Sequence, residues 1–318
     1  MKSIRDKLYL STIADDDYEQ AAAYGVGLEI AEFCAAMNMD GELFPIFDSN
    51  VRIKMKSAGR FVFHGPFAEL SPCSIDPKVR QVSMERYLQA ARLAAQYGAR
   101  RVVLHSGFIP QVYFPHWYEE ESIKFWRELL PRLPEGTEIV LENVMDPAPD
   151  SMVRVVRKVD DPRLRLCLDI GHANCARGEV TLDQWLEAFR PYLRHVHLHN
   201  NDGKWDLHSP LGEGTIPMAE TLDWLNENAP DATMTIENMN CSDSMQWLEK
   251  KAIYDDNHKN CPRAGARAGP VPGGHQTGGR GRYGGGPAAP GAAGQAPRFP
   301  RQAGGYLHPP VGDDGAGP

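Results

Sequence analysis

The sequence predicts an α/β protein folded as a closed (β/α)8 barrel, the TIM barrel, followed by a disordered tail rich in glycine and proline. Three observations support this prediction: eight short apolar runs with strand character, helical patterns between them, and an abrupt change of composition after Cys261. Eight strand–helix units in about 250 residues match the usual size of such a barrel. A doubly wound open sheet is the alternative, although no G-x-G-x-x-G motif follows any strand.

The predicted strands are apolar runs of about five residues, as expected for strands covered on both faces. They occupy residues 8–12, 26–30, 60–64, 101–105, 138–142, 166–170, 195–199 and 233–237. Their starts are about 32 residues apart on average, which leaves room for one helix and two loops in each unit.

Helices are predicted between the strands by apolar residues spaced three or four positions apart. Thr181 is a candidate N-cap, Asp76 followed by proline begins another helix, and Gly25 is a candidate C-cap for the first one. The helix that begins at Asp76 has its apolar pattern over residues 84–95, and further helical patterns cover residues 123–130, 218–225 and 245–248. The segment 34–59 is irregular, and its pattern does not define a single helix.

The formal net charge of −8 is unevenly distributed over the 318 residues. Residues 262–318 contain six Arg, two Asp, 17 Gly and 10 Pro, whereas residues 1–261 hold 28 basic and 40 acidic side chains, a charge of −12. The tail has too few large apolar residues to offset the entropy of ordering it. We therefore expect a folded domain at 1–255 and a disordered tail at 256–318, which is either a linker-like extension or an out-of-frame translation. Its GGRGRYGGG stretch (278–286) also resembles an RGG-type RNA-binding segment.

Several features argue against membrane and nucleic-acid partners. No run approaches 18 apolar residues, and the first residues lack the apolar stretch of a signal peptide. The six Cys are scattered and form no C-x-x-C pair, which is typical of a reducing compartment, so a cytoplasmic location is expected. The acidic domain has no basic run that would favour a polyanion.

Metal-capable side chains recur at the ends of the predicted strands and in the loops that follow them. They are His64, His105, Glu142, Asp169, His172, His197, Asp206, His208 and Glu237. In a parallel barrel the carboxyl ends of all strands meet at one mouth. One such residue alone is an ordinary rim residue, but four carboxylates and five imidazoles together require a compensating cation. We therefore expect a divalent metal, with Zn²⁺, Mn²⁺, Co²⁺ and Fe²⁺ suited to these ligands.

The motifs around these residues resemble those of the xylose isomerase-like TIM barrel superfamily, which includes sugar phosphate isomerases and epimerases and endonuclease IV (AP endonuclease family 2). The motifs are FHGPF (63–67), VLHSG (103–107), LENV (141–144), LCLDIGHAN (166–174), HLHNNDGKWDLHSPLGEGTI (197–216) and TIENM (235–239). The resemblance implies that Glu142, Asp169, His197 and Glu237 hold a metal common to all branches. It also implies that the remaining candidates, His64, His105, His172, Asp206 and His208, match the further ligands of the trinuclear zinc site of endonuclease IV. One to three ions are therefore expected.

Two enzymatic functions are compatible with this resemblance. In an isomerase or epimerase of sugars or sugar phosphates, Glu142 and Glu237 would exchange a proton through an enediol or enediolate intermediate. In a zinc-dependent phosphodiesterase acting on abasic DNA, all nine ligands would be needed. The nine-residue set favours the hydrolase. Three features favour the isomerase. The domain has a charge of −12, and its sequence IGH at 170–172 departs from the endonuclease signature. Its loop at 197–206 is shorter than the endonuclease loop and lacks the D-S-K sequence found there. A metal-binding protein without catalysis is a third possibility.

Three further residues are candidates for contact with a small sugar substrate. His199 lies two positions after His197 in the same strand, and Lys204 lies in the loop that follows. Trp117 belongs to an aromatic loop at 110–121, where Tyr113, Phe114 and Trp117 either cover a sugar ring or pack between helices. His199 and Lys204 also have ordinary explanations, as a packed or rim histidine and a solvated lysine.

Overall fold

The computed structural model describes residues 4–176 and 179–251, and this part of the chain forms a closed barrel of eight parallel strands. The strands are β1 (Leu8–Ser11), β2 (Gly27–Ile30), β3 (Phe61–His64), β4 (Arg101–His105), β5 (Glu138–Glu142), β6 (Leu164–Asp169), β7 (Leu193–Leu198) and β8 (Thr233–Ile236). Each strand pairs with the next, and β8 closes the ring on β1 from Leu8↔Met234 to Leu10↔Ile236. The predicted (β/α)8 barrel is confirmed, and the open sheet is excluded. The predicted tail at 256–318 lies outside the described residues.

The described part of the chain contains nine α-helices, eight between the strands and one after the last strand. They are α1 (Asp17–Tyr24), α2 (Phe44–Lys54), α3 (Pro77–Gln96), α4 (Pro115–Leu129), α5 (Asp150–Val159), α6 (Ile170–Cys175), α7 (Leu182–Phe189), α8 (Met218–Asn228) and α9 (Ser242–Lys250). None of these helices has the length and apolar character needed to cross a bilayer. The irregular segment 34–59 contains α2 between two short 3₁₀ turns. Helix α5 was not predicted, although its buried Met152, Val155, Val156 and Val159 have helical spacing.

The helix ends that the sequence indicated are present. The Thr181 side chain and Gln184 form a reciprocal capping box at the start of α7. Asp76 accepts a hydrogen bond from the Lys78 amide at 2.8 Å at the start of α3. Gly25 ends α1 in the left-handed conformation at φ 65°, which glycine adopts at low cost.

Apolar side chains form two separate clusters on the two sides of the barrel wall. The large cluster joins the strands to the helices, and a small one consists of Tyr9, Val62, Val103, Val140 and Cys167. Successive side chains of a strand point to opposite faces, so residues two positions apart share a face. The residues two positions after the last four members of the small cluster are His64, His105, Glu142 and Asp169. The same alternation that fills the barrel interior therefore directs these four side chains inward at its carboxyl end.

The opposite end of the barrel is closed by polar contacts across its interior. The guanidinium of Arg101 at the start of β4 donates to the Glu138 carboxylate of β5 at 2.8 Å and to the carbonyl of Arg194 at 2.9 Å. It also donates to the Thr233 hydroxyl of β8. This layer separates the carboxyl-terminal mouth from the amino-terminal face.

The capping box at α7 supports a first prediction. Thr181 is exposed, so replacing it removes the cap with little loss of apolar contact. We expect Thr181→Ala to lower the free energy of unfolding by about 1 kcal/mol, whereas Thr181→Ser, which keeps the hydroxyl, changes it by a few tenths at most. Urea denaturation of both variants measures the difference, and equal losses would contradict the capping role.

Candidate functional site

The structure brings the nine predicted metal-capable residues together at the carboxyl-terminal mouth of the barrel. His64, His105, Glu142 and Asp169 are the last residues of β3, β4, β5 and β6, and His197 lies in β7. The others lie just beyond the strands: His172 in α6, Asp206 and His208 in the loop after β7, and Glu237 directly after β8. Their ligand atoms fall into overlapping groups in which all atoms lie within 4.8 Å of one another.

Glu142 lies at the centre of this arrangement, and its side chain is almost fully buried. Its Oε2 atom is 3.2 Å from His64 Nε2 and 3.4 Å from His105 Nε2. Its Oε1 atom is 3.3 Å from His172 Nδ1 and 3.5 Å from His197 Nδ1. One carboxylate therefore connects imidazoles from four different parts of the fold.

His197 defines a second group of ligand atoms. Besides Glu142, its Nδ1 atom lies 3.7 Å from Asp169 Oδ2 and 3.6 Å from Glu237 Oε2. Three carboxylates thus lie within 3.7 Å of one imidazole nitrogen, and all four side chains are buried. This is the donor set that Zn²⁺, Mn²⁺ or Co²⁺ binds in proteins.

A third group lies at the more open side of the mouth. Asp206 Oδ2 is 3.2 Å from Nε2 of both His172 and His208, and all three side chains are half-buried. His208 has a positive φ of 47°, which is costly for a residue other than glycine. The buried amide of Asn238 holds this conformation by donating to the carbonyls of His208 at 2.9 Å and Ser209 at 2.8 Å.

Three of the imidazoles use their second ring nitrogen to contact a main-chain carbonyl. These pairs are His64 Nδ1 with Gly65 O at 3.0 Å, His172 Nδ1 with Asn143 O at 2.9 Å and His208 Nδ1 with Glu237 O at 2.7 Å. A carbonyl oxygen only accepts hydrogen bonds, so each Nδ1 carries a proton, and in the neutral form of each ring the Nε2 lone pair faces a carboxylate. Metal-binding histidines are commonly oriented in this way.

Unpaired polar atoms of the site also indicate that its residues fit a cation. Buried polar atoms that point into the site have no hydrogen-bond partner among the described residues. They are Glu142 Oε2, His197 Nδ1, His199 Nδ1 and Asp206 Oδ1. Buried polar atoms are rarely left without a partner, and a divalent ion would satisfy the carboxylate oxygens and the His197 nitrogen at once.

Positively charged imidazoles of the site stabilise its buried carboxylates in their ionised form. Burial opposes the ionisation of Glu142, yet the charge of His197 and the hydrogen bonds from His172 and His197 hold the pKa of this carboxyl well below its usual range. Burial also opposes the charged form of His208, but Asp206 raises the pKa of this imidazole to about 9. Burial lowers the pKa of His105 to about 3, so this imidazole is neutral. A bound cation would take the place of the imidazolium protons, and its binding would therefore release protons.

The three predicted substrate contacts occupy different environments. His199 is fully buried, its Nε2 atom lies 3.0 and 3.1 Å from the two oxygens of Asp169, and its ring stacks on His208 with centroids 4.0 Å apart. Lys204 is exposed in the loop after β7. The predicted aromatic loop at 110–121 ends at Phe114, because α4 begins at Pro115 and contains Trp117. Trp117 is half-buried and donates to the carbonyl of Cys73 at 2.9 Å, whereas in the preceding loop Tyr113 is buried and Phe114 is 76% exposed. Their contact with a substrate stays a prediction.

The absence of a side chain at Gly171 leaves space for the His199 ring. A Cβ atom at Gly171 would lie 1.9 Å from the His199 ring. Only glycine therefore fits here without displacing the ring that contacts Asp169.

Some residues of the site were not predicted from the sequence. Glu29 in β2 is fully buried and contacts His197, and Phe67 stacks on the His105 ring at 4.1 Å. Asn143 pairs with the backbone amide and carbonyl of Asp169 at 2.9 and 3.0 Å, which joins the ends of β5 and β6. The available signal for Glu29 was a carboxylate within an otherwise apolar strand, because a buried charge requires a partner.

Asp146 braces the two loops that follow His105 and Glu142. Its carboxylate accepts hydrogen bonds from the Ser106 hydroxyl at 2.6 Å and from the Val144 amide at 3.2 Å. Burial raises the pKa of Asp146 to about 6, although both hydrogen bonds favour the ionised form.

This shift predicts a pH dependence of stability. The folded protein retains the Asp146 proton above pH 3.8, the ordinary value at which the unfolded chain releases it. Stability should therefore fall, relative to Asp146→Asn, by roughly 3 kcal/mol as the pH rises from about 4 to about 6. Urea denaturation across this range with a chelator present measures the effect. Asp150→Asn, at an exposed carboxylate, is the control, and parallel curves for wild type and Asp146→Asn would contradict the prediction.

Comparison with known proteins places this architecture in a family. A family model described as the xylose isomerase-like TIM barrel matches residues 19–254. An uncharacterized protein of Methanocaldococcus jannaschii is 30% identical over 213 residues, which cover 63% of this chain and 73% of the relative. A probable endonuclease 4 of Mycobacterium leprae is 25% identical over 183 residues, which cover 54% of this chain and 71% of that protein.

Solved structures agree with this assignment. A D-tagatose 3-epimerase-like protein aligns with a TM-score of 0.65 and 26% identity over 78% of this chain and 96% of its own. A protein of Thermus thermophilus, soaked with ZnCl₂, aligns with a TM-score of 0.60 and 26% identity over 77% of this chain and 98% of its own. The chain therefore belongs to the xylose isomerase-like TIM barrel family.

Proposed function

We propose that the protein is a divalent-metal-dependent isomerase or epimerase that acts on a sugar or sugar phosphate through an enediol or enediolate intermediate. The observation that carries this proposal is the pair of buried carboxylates that meet at His197 Nδ1, with Glu142 of β5 at 3.5 Å and Glu237, directly after β8, at 3.6 Å. Two carboxyl groups reach one point from strands that are three positions apart in the ring. The similarity to a D-tagatose 3-epimerase-like protein supports the same reaction class.

The metal in this proposal is held by Glu142, Asp169, His197 and Glu237. When bound, a divalent cation such as Zn²⁺, Mn²⁺ or Co²⁺ polarises adjacent oxygens of the sugar and acidifies the neighbouring C–H bond. The similar zinc-soaked structure from Thermus thermophilus supports zinc as the first metal to test.

The proton transfers are assigned to the two carboxylates. Glu142 takes the proton from the carbon beside the carbonyl group, and Glu237, which enters the reaction protonated, gives its own proton to the opposite side of the planar intermediate. The reverse reaction exchanges these roles, as microscopic reversibility requires. Because both side chains are more than nine-tenths buried, they act in a site that excludes most water.

Binding of the substrate involves the three candidate contacts. His199 is proposed to contact a sugar hydroxyl while it holds Asp169, from which it is 3.0 Å away. Lys204 is placed on the exposed loop after β7, where its ammonium group can meet a phosphate or carboxylate of the substrate. Trp117 in the first turn of α4 and the exposed Phe114 just before this helix supply apolar surface for a sugar ring.

The acid–base assignment predicts the effect of two isosteric substitutions. Glu142→Gln and Glu237→Gln should each lower ketose turnover by about 10²- to 10⁴-fold and abolish deuterium incorporation from solvent, with the fold intact. Turnover of a panel of ketohexoses and their phosphates, circular dichroism and metal content measure these effects. Glu138→Gln, at the opposite end of β5, is the matched control. Near-normal turnover of either site variant would overturn the assignment.

A second candidate function is supported by the third ligand group. An isomerase requires only the ligands around His197, whereas His64 with His105, and His172 with Asp206 and His208, offer two further positions for metal. A set of this size is suited to zinc ions that bind a phosphodiester and activate hydroxide. The similarity to a probable endonuclease 4 points in the same direction. The alternative is therefore a zinc-dependent phosphodiesterase that nicks abasic duplex DNA.

Substitution at the third group separates the two functions. If the protein is an isomerase, His208→Gln should retain at least about a tenth of the ketose turnover, because it leaves the ligands around His197 in place. If it is a phosphodiesterase, the same variant should lose one metal equivalent and about 10²-fold or more of the nicking of abasic DNA. Asp169→Asn is the comparison, and it should inactivate the protein in both cases. Wild-type protein without bound divalent metal, and without activation by added Zn²⁺, Mn²⁺ or Co²⁺, would contradict both functions.

A further inference from the structure

One charged residue inside the barrel lies outside the nine predicted ligands. Glu29 of β2 is fully buried, and both of its oxygens are engaged. Oε1 is 3.1 Å from His197 Nε2, while Oε2 is 2.9 Å from His195 Nε2 and 2.5 Å from the Thr235 hydroxyl. Because β2 lies across the barrel from β7, these contacts pass through its interior.

The direction of each hydrogen bond follows from the chemistry of the carboxylate. An ionised carboxylate only accepts hydrogen bonds, so Nε2 of His195 and Nε2 of His197 must each carry a proton. His195 Nδ1 then accepts from the Thr233 hydroxyl at 2.6 Å, and the Arg101 guanidinium donates to that hydroxyl from below. With Nε2 of His197 protonated, the lone pair of a neutral His197 is on Nδ1, the atom that faces Glu142, Asp169 and Glu237.

His197 differs in this respect from three other imidazoles of the site. His64, His172 and His208 donate to main-chain carbonyls, whereas His197 donates to a carboxylate. Hydrogen bonds to charged acceptors are roughly twice as strong as neutral ones, and they make the imidazole a more basic ligand.

We propose that Glu29 is a positioning residue that holds His197 as its Nε2-protonated tautomer and strengthens Nδ1 as a metal ligand. This inference rests on the proposed metal site around His197. Glu29, His195 and His197 are themselves close enough to hold an ion. However, three donors already satisfy the Glu29 carboxylate, and the four side chains involved are fully buried, so this network is complete without a cation.

The test replaces the carboxylate by an amide of the same shape. In Glu29→Gln the side chain offers one acceptor oxygen and one donor nitrogen, so at most one of the two imidazoles keeps its hydrogen bond. We expect the affinity for Zn²⁺ or Co²⁺ to fall about 10- to 100-fold, measured by competition with a chelating dye. Glu138→Gln makes the same chemical change at the closed end of the barrel, where Glu138 pairs with Arg101, and should leave the affinity unchanged.

Nitrogen-15 NMR of the histidine side chains gives a second readout that does not depend on bound metal or on activity. In the metal-free wild type, Nε2 of His197 should be protonated at every pH that keeps the fold. In Glu29→Gln the neutral ring should shift toward the Nδ1-protonated form. A purely structural role of Glu29 would lower stability without changing this tautomer.

The possible outcomes separate this inference from the proposed function. Unchanged metal affinity in Glu29→Gln, or a neutral His197 protonated at Nδ1 in the wild type, overturns the positioning role. Loss of one whole metal equivalent in both Glu29→Gln and His195→Gln overturns it as well, because Glu29 would then be a ligand. If Glu29→Gln does not fold, the tautomer of His197 in the wild type still tests the positioning role. If the wild type binds no divalent metal, the proposed function fails, whereas the tautomer measurement still tests Glu29.

Discussion

The mouth of the barrel depends on the Glu142 carboxylate, which is buried against the imidazoles of His64, His105, His172 and His197. A carboxylate removed from water is costly unless opposite charge surrounds it. These four imidazoles come from β3, β4, α6 and β7, so no local segment can supply the compensation. The charge balance of the site is reached only when the barrel closes, and folding and assembly of the site are therefore coupled.

The interior beneath the mouth is divided into an apolar and a polar half. On one side Val62, Val103, Val140 and Cys167 fill the barrel as branched or small side chains usually do. On the other side Glu29, His195 and Thr235 are buried and linked by hydrogen bonds, and the Tyr9 ring packs edge-on against His195. The polar half lies directly beneath His197, so the composition of the core supports one particular residue of the site.

Much of the fold could be predicted because it depends on sequence patterns among neighbouring residues. The eight strands, the N-caps at Asp76 and Thr181 and the C-cap at Gly25 depend on neighbouring residues, and all are present. Helix α2 was harder to predict because the short 3₁₀ turns on either side of it interrupt the helical periodicity of the sequence. The recurrence of metal-capable residues at strand ends and in the following loops indicated nine candidate ligands, and the structure places them at one mouth, but their roles as ligands depend on the metal experiments.

Which side chains enter the barrel follows from the alternation along the strands. In β3, β4, β5 and β6 a metal-capable residue follows two positions after an interior residue, and strand geometry directs both to the same face. Which atom of His197 faces the other ligands follows instead from contacts that form in the closed barrel. That choice depends on Glu29, which is 168 residues away along the chain and reaches His197 only through the interior of the closed ring. Alternation along a strand is a local property of the backbone, whereas the tautomer of a buried imidazole is set by partners that chain closure brings to it.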